Sequence, residues 1–256
     1  MTIRTPARSR DDADADARAM TIAEHLRELR RRILVSVAAA GMGAIVVFVL
    51  FDRVLSVLVH PYCVAVGSGH ACNLYVTGPL DGLSIRVEVA AYGGLVLASP
   101  LLLFHFWRFV APGLRPRERR FTVPFVVSSV VLFIGGAAVA FAVFPHAIAW
   151  LGAIGGPSLR AIYSPSSYLG LLLLMMAAFG LTFELPVLLV SLQLAGVVMP
   201  STLASWRRYA VVALVAFAAI VTPSSDPFSM FAMAVPLVVL YEASILLGRL
   251  LLRSRR

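Results

Sequence analysis

Long apolar runs alternate along this chain with more polar connections, every second one of which is the richer in arginine. Six runs carry at most one charge each, at about 33–51, 89–106, 121–144, 168–194, 209–221 and 230–247. Several approach the ~20 residues with which a helix crosses a bilayer, where only a helix or a closed barrel can satisfy its own backbone. The pattern therefore predicts an all-α integral membrane protein with six transmembrane helices. The fifth run is short: residues 209–221 rise about 20 Å, well below a hydrocarbon core of ~30 Å. Such a helix either thins the bilayer or is hidden against its neighbours.

The polar segments carry the start and stop signals. Thr21-Ile22-Ala23-Glu24 has the form of a capping box, in which hydroxyl and carboxylate each satisfy a free backbone donor, so a helix is predicted from Thr21. Ile22, Leu26, Leu29 and Ile33 then make one apolar stripe at helical spacing, with Glu24 and Glu28 on the far side. Pro112-Gly113 marks a turn, and Pro116 suits the first position of a new helix, which puts Glu118 in a first turn that favours a carboxylate. Trp107 and Phe109, just before that turn, are expected in an interfacial aromatic belt. Thr222 to Ser229 is a proline-bracketed turn in which Asp226 most simply caps the sixth helix. Residues 1–19, rich in Arg, Asp and Ala, lack the large apolar side chains needed to pack and read as a disordered tail, with Met20 as an alternative start. The predicted organisation is a tail over 1–19, a six-helix membrane domain over 20–250 and a basic tail over 251–256.

Hydrophobic residues make up 60% of the chain, and the net charge is +9. In a soluble protein that charge would suggest nucleic acid. Here nineteen of the 22 arginines fall before the first run, between the second and third, between the fourth and fifth, or after the sixth. Only Arg53, Arg86 and Arg160 fall on the other side. The positive-inside rule then puts both termini in the cytoplasm, and no nucleic-acid partner is expected. The first run follows acidic as well as basic residues and lacks a small-residue cleavage site, so it is expected to remain as the first helix. Cys63 and Cys72 share the first external loop, where they are either bridged or two unpaired thiols.

The sequence contains no HExxH, GxSxG, Walker loop or CxxC, and no nucleophile paired with a base, so neither an enzyme nor a metal or cofactor site is expected. A polytopic small-solute carrier is the alternative reading, but the repeated halves with matched interruptions that carriers show are not seen. Three carboxylates stand out. Glu28 lies in His25-Leu26-Arg27-Glu28-Leu29-Arg30-Arg31-Arg32, and Glu118 in Arg115-Pro116-Arg117-Glu118-Arg119-Arg120. Each either balances its neighbours, as an i,i+4 pair with Arg32 worth ~0.5 kcal/mol would for Glu28, or recognises something cationic at the membrane surface. Glu184, in Phe183-Glu184-Leu185-Pro186, falls inside the fourth run, where a carboxylate costs ~3 kcal/mol and should face protein, water or a partner. Pro186 beside it removes a backbone donor and favours a kink.

Taken in order and between these runs, six segments together resemble the TatC family, the six-span core subunit of the twin-arginine protein translocase. They are His25 to Arg30; Ser99-Pro100 with Trp107-Arg108-Phe109-Val110-Ala111-Pro112-Gly113-Leu114; Glu118-Arg119-Arg120; Phe183 to Pro186; Thr222-Pro223 with Asp226; and Tyr241-Glu242. The resemblance runs from Thr21 to about Arg249. It implies a cup- or glove-like fold with short helices 5 and 6, in the cytoplasmic membrane of a bacterium. It also implies a receptor that binds twin-arginine signal peptides and moves folded proteins with TatA- and TatB-type single-span partners, in an oligomeric complex driven by the proton-motive force. Position by position, Glu28 and Glu118 would receive the paired arginines, with Phe109 and Arg30 in the same patch. Glu184 would be an intramembrane contact for partner or signal, and Asp226 the acidic residue of the last external loop, which is one residue longer here than in some relatives. The chemistry suits this reading, because a guanidinium fork can bind a carboxylate through two parallel hydrogen bonds.

Overall fold

The computed structural model describes residues 22–66, 74–76, 78–110, 122–154, 156, 163–224 and 226–253. Among these the secondary structure is helical throughout: α1 Ile22–Val49, α2 Phe51–Val66, α3 Asp81–Val110, α4 Thr122–Ile154, α5 Pro165–Thr182, α6 Leu185–Leu194, α7 Pro200–Ser205, α8 Arg207–Val221 and α9 Pro227–Arg253. Five segments are long and apolar enough to cross a membrane: Arg27–Val49, Asp81–Arg108, Val123–Ile154, Pro165–Leu194 and Pro227–Leu252. The remaining expected span, the fifth, is α8, whose 15 residues rise about 22 Å and fall short of the ~30 Å core alone.

The expected surface stripe and first span form one uninterrupted helix, α1, while Thr21 of the capping box lies outside the described residues. Several boundaries differ from expectation. The helices of the second and sixth spans extend past the apolar runs through charged residues, since arginine and carboxylate side chains near a helix end can reach the polar boundary without ending the helix, and that of the third runs on through Pro145 to Ile154. In particular, α9 has 27 residues and is not short.

The larger correction is α2, read from sequence as external loop. Its Leu58 is buried, with Val54, Leu55 and Tyr62 packed beside it against the main core. Pro61 lies inside it, where a proline disturbs helical bonding. A hydroxyl from another helix repairs the neighbouring bond: Tyr62 N–H donates to Tyr168 Oη at 3.1 Å, and that hydroxyl donates to the Leu58 carbonyl at 2.9 Å. This insertion into the helix ladder lets proline and helix coexist.

The centre of the bundle is α5. Of the apolar window spanning it and α6, 56% is buried, against 11% for α1. Leu169, Leu172, Met175 and Phe179 of α5 pack with Val89 of α3, Phe144 of α4 and Leu237 of α9. Small residues let backbones touch, as is common where lipid supplies no hydrophobic drive between helices. A Cβ on Gly94 would lie 2.6 Å from the Ala40 carbonyl oxygen, and one on Gly136 would lie 2.6 Å from that of Phe179. The first contact joins α3 to α1, and the second fixes α4 against α5 just before Glu184.

Candidate functional site

The N-terminal part of α1 meets the C-terminal part of α3 through an arginine. Arg32 Nη2 pairs with Glu28 Oε1, and Arg32 Nη1 donates to the His105 carbonyl at 3.1 Å. The Arg32 side chain is 12% exposed and that of Glu28 31%, so Arg32 is the fixed member and Glu28 the accessible one. Glu28 therefore makes the ordinary i,i+4 pair, at a junction between helices. Arg30 is exposed on the same helix. The Phe109 side chain and the whole of Glu118 lie outside the described residues.

One residue pair away, Trp107 departs from its expected place. It is 1% exposed and packs inside the protein against Phe125, Val187, Val190 and Leu194. Its ring lies 5.1 Å from that of Phe125, tilted by 30°. The indole N–H is satisfied there: Nε1 donates to Ser129 Oγ of α4 at 2.7 Å, which removes the cost of burying it.

Ser129, fully buried, also interacts with the Glu184 carboxyl. Glu184 occupies a break in the fourth span, where α5 ends at Thr182 and α6 begins at Leu185 with a proline in its first turn. The kink expected at Pro186 is thus a change of helix. The Glu184 side chain makes no cap bond to α6, and its buried Oε1 has no hydrogen-bond partner among the described residues. Trp107, Ser129 and Glu184 form a connected polar chain from the end of α3 into the membrane interior.

Asp226 behaves differently. It is 1% exposed; Oδ1 accepts from the Ser229 backbone N–H at 2.7 Å, and Oδ2 accepts from the Ser224 hydroxyl. It is the N-cap of α9, as the turn predicted. Residues packed with Trp107 include Leu251 and Leu252, some 25 residues further along α9, so Asp226 lies about 37 Å from that end. The structure brings Glu28 and Trp107 to one end of the bundle and Asp226 to the other.

Two further polar contacts escaped the sequence reading. Gln193 is 1% exposed, and its Nε2 donates to the carbonyls of Leu189 at 3.2 Å and Ser244 at 3.1 Å, joining α6 to α9. Arg207 pairs with Glu242 at 2.8 Å, beside a bond from Tyr241 Oη to the Leu203 carbonyl at 2.9 Å, which ties the start of α8 to α9. An amide inside an apolar run was the available signal for the first. Cys63, in α2, is disulfide-bonded; Cys72 lies outside the described residues.

The family model described as Sec-independent protein translocase protein (TatC) matches residues 24–236. The chain belongs to the TatC family. Among its relatives, the Sec-independent protein translocase protein TatC of Frankia casuarinae is 38% identical over 90% of this chain and 65% of that protein. That of Aquifex aeolicus is 37% identical over 93% of this chain and 98% of the relative. The chain thus spans somewhat under two thirds of the Frankia protein and nearly all of the Aquifex one. A crystal structure described as the twin arginine translocase receptor TatC, in the detergent DDM, superposes with a TM-score of 0.73 at 36% identity, over 88% of this chain and 99% of that one. This TatC-family chain is a multi-pass helical membrane protein.

Proposed function

We propose that this TatC-family chain is the receptor and core of a twin-arginine translocase, binding twin-arginine signal peptides and moving folded proteins with TatA- and TatB-type single-span partners. The likeness to a solved receptor over nearly its whole length carries the reading. The chain acts as a transport protein in the cytoplasmic membrane of a bacterium, in an oligomeric complex driven by the proton-motive force. Its membrane domain spans residues 20–250 between two cytoplasmic tails, as a cup of six helices with both termini inside. The ion pair of Arg207 to Glu242 and the contact of Thr222 Oγ1 with Met233 Sδ at 3.9 Å support α8 as the fifth crossing, antiparallel to α9.

In this reading Glu28 and Glu118 receive the two arginines, with Arg30 and Phe109 framing the patch. An incoming guanidinium displaces Arg32 from Glu28, and the His105 carbonyl continues to hold Arg32. The exchange replaces one charge-assisted bond to Glu28 by another, and Arg32 keeps a single hydrogen bond to a neutral acceptor. Glu184, with one oxygen open, contacts the signal or a partner helix. Asp226 shapes the opposite rim by capping α9. Cys63 bridges Cys72 and closes the first external loop; thiol labelling with and without reductant would find reactive thiols only after reduction. The functional test is export of a folded twin-arginine reporter by cells carrying Glu28→Ala or Glu118→Ala. Each should accumulate in the membrane normally and export poorly, and normal export by both would refute the receptor assignment.

A further inference from the structure

The carboxylate assigned above to a signal arginine is already held by an arginine of the chain. Arg32 Nη2 pairs with Glu28 Oε1, while Nη1 of the same fork donates to the His105 carbonyl at 3.1 Å. An incoming arginine would offer Glu28 the same group, a guanidinium with its planar set of donors. The internal pair is thus a copy of the contact between receptor and signal.

Two helices place Arg32 for this. It lies four residues beyond Glu28 on α1, a spacing that puts both side chains on one face. Its other contact comes from α3, which runs antiparallel to α1: Arg32 meets His105, a Cβ on Gly94 would lie 2.6 Å from the Ala40 carbonyl oxygen, and Arg86 Cζ lies 5.2 Å from the centre of the Phe48 ring. Close packing along that length keeps the His105 carbonyl, and with it the guanidinium, beside Glu28. The Arg32 side chain is 12% exposed against 31% for Glu28, so a ligand reaches the carboxylate while the arginine stays within reach behind it. Among the described residues Arg32 makes no further hydrogen bond or ion pair. An entering arginine gains its bond to Glu28 as Arg32 loses one. When it leaves, Arg32 closes again at the high effective concentration of a helix neighbour.

We propose that Arg32 is an intramolecular competitor that occupies the signal site at rest, lowers the affinity of the receptor for its signal and speeds release. This role rests on Glu28 being the receptor carboxylate proposed above. It gives the pair a purpose beyond helix stability, since a receptor that passes its cargo on must also let the signal go.

The test uses the full chain purified in detergent and a fluorescent twin-arginine signal peptide, with affinity and dissociation rate read by anisotropy. Arg32→Gln should bind the peptide about threefold to fivefold more tightly than the wild type, the scale of one partly exposed ion pair. Most of the gain should lie in slower dissociation. Arg31→Gln, which removes the same charge from an exposed neighbour, should give a smaller gain or none. Arg32→Lys, whose ammonium lacks the fork, should gain less in the same direction, and supplies the test if Arg32→Gln fails to fold. Damage to the fold would lower affinity, so the sign of the change separates competition from support. Glu28→Gln should itself bind the peptide more weakly, and adding Arg32→Gln to it should bring no gain. If Glu28→Gln bound as the wild type does, the receptor reading of Glu28 would fall and the competitor with it. If Glu28→Gln bound weakly but no folded Arg32 variant bound more tightly than Arg31→Gln, the competitor alone would be overturned.

Discussion

Among the described residues two buried carboxylates begin helices, and their surroundings are opposite. Asp226 caps α9 with both oxygens served, by the Ser224 hydroxyl and the Ser229 N–H. Glu184 stands at the start of α6 with no cap bond, partnered by Ser129 and with Oε1 unserved among the described residues. A buried acceptor left open costs about 1–3 kcal/mol and more if charged, so a fold that needed only a helix start would use the first arrangement. On the proposed reading, the contrast separates a carboxylate that holds structure from one kept for a contact with signal or partner.

The largest effect should come from removing the open oxygen. Glu184→Ala is expected to insert and fold normally while export of a twin-arginine reporter falls by roughly tenfold or more, the worth of one hydrogen bond to a charged group. Export at the wild-type rate would make Glu184 a structural residue like Asp226. The converse substitution, Asp226→Ala, should lower stability by about 1–2 kcal/mol through loss of the cap, read as a drop in thermal midpoint in detergent. Export should then fall only in proportion to the folded population. A stable variant that exports nothing would erase the distinction. Smaller still, Ser129→Ala should cost about 1 kcal/mol of stability while signal-peptide binding at the cytoplasmic end persists. If it abolished binding as well, Ser129 would serve the recognition patch directly and not Glu184.

The apolar runs made the bundle legible because lipid allows so few solutions for a buried backbone. What they could not show was any helix stabilised from outside its own sequence. Residues 51–66 contain Asp52, Arg53 and Pro61 and read as loop, yet α2 forms because the Tyr168 hydroxyl, over a hundred residues away, repairs its ladder. The charged pairs were legible as alternatives only. Periodicity placed Glu28 within reach of Arg32, but the His105 carbonyl that fixes Arg32 and leaves Glu28 the accessible partner belongs to another helix. Trp107 was misplaced for a related reason: an aromatic residue at the end of an apolar run suits the interface until a buried hydroxyl, here Ser129, accepts its N–H. Pro186 did announce the break at Glu184, since a missing donor acts locally.

Glu28 at the accessible edge of its ion pair is central to the receptor reading. Replacing it with a photoreactive residue and illuminating the complex with a twin-arginine precursor tests site, partner and topology together. The account predicts a crosslink to the region of the paired arginines, lost when those arginines are changed to lysine, because an ammonium cannot reproduce the bidentate fork. A precursor that failed to crosslink from position 28, or that crosslinked equally well with lysines, would contradict it.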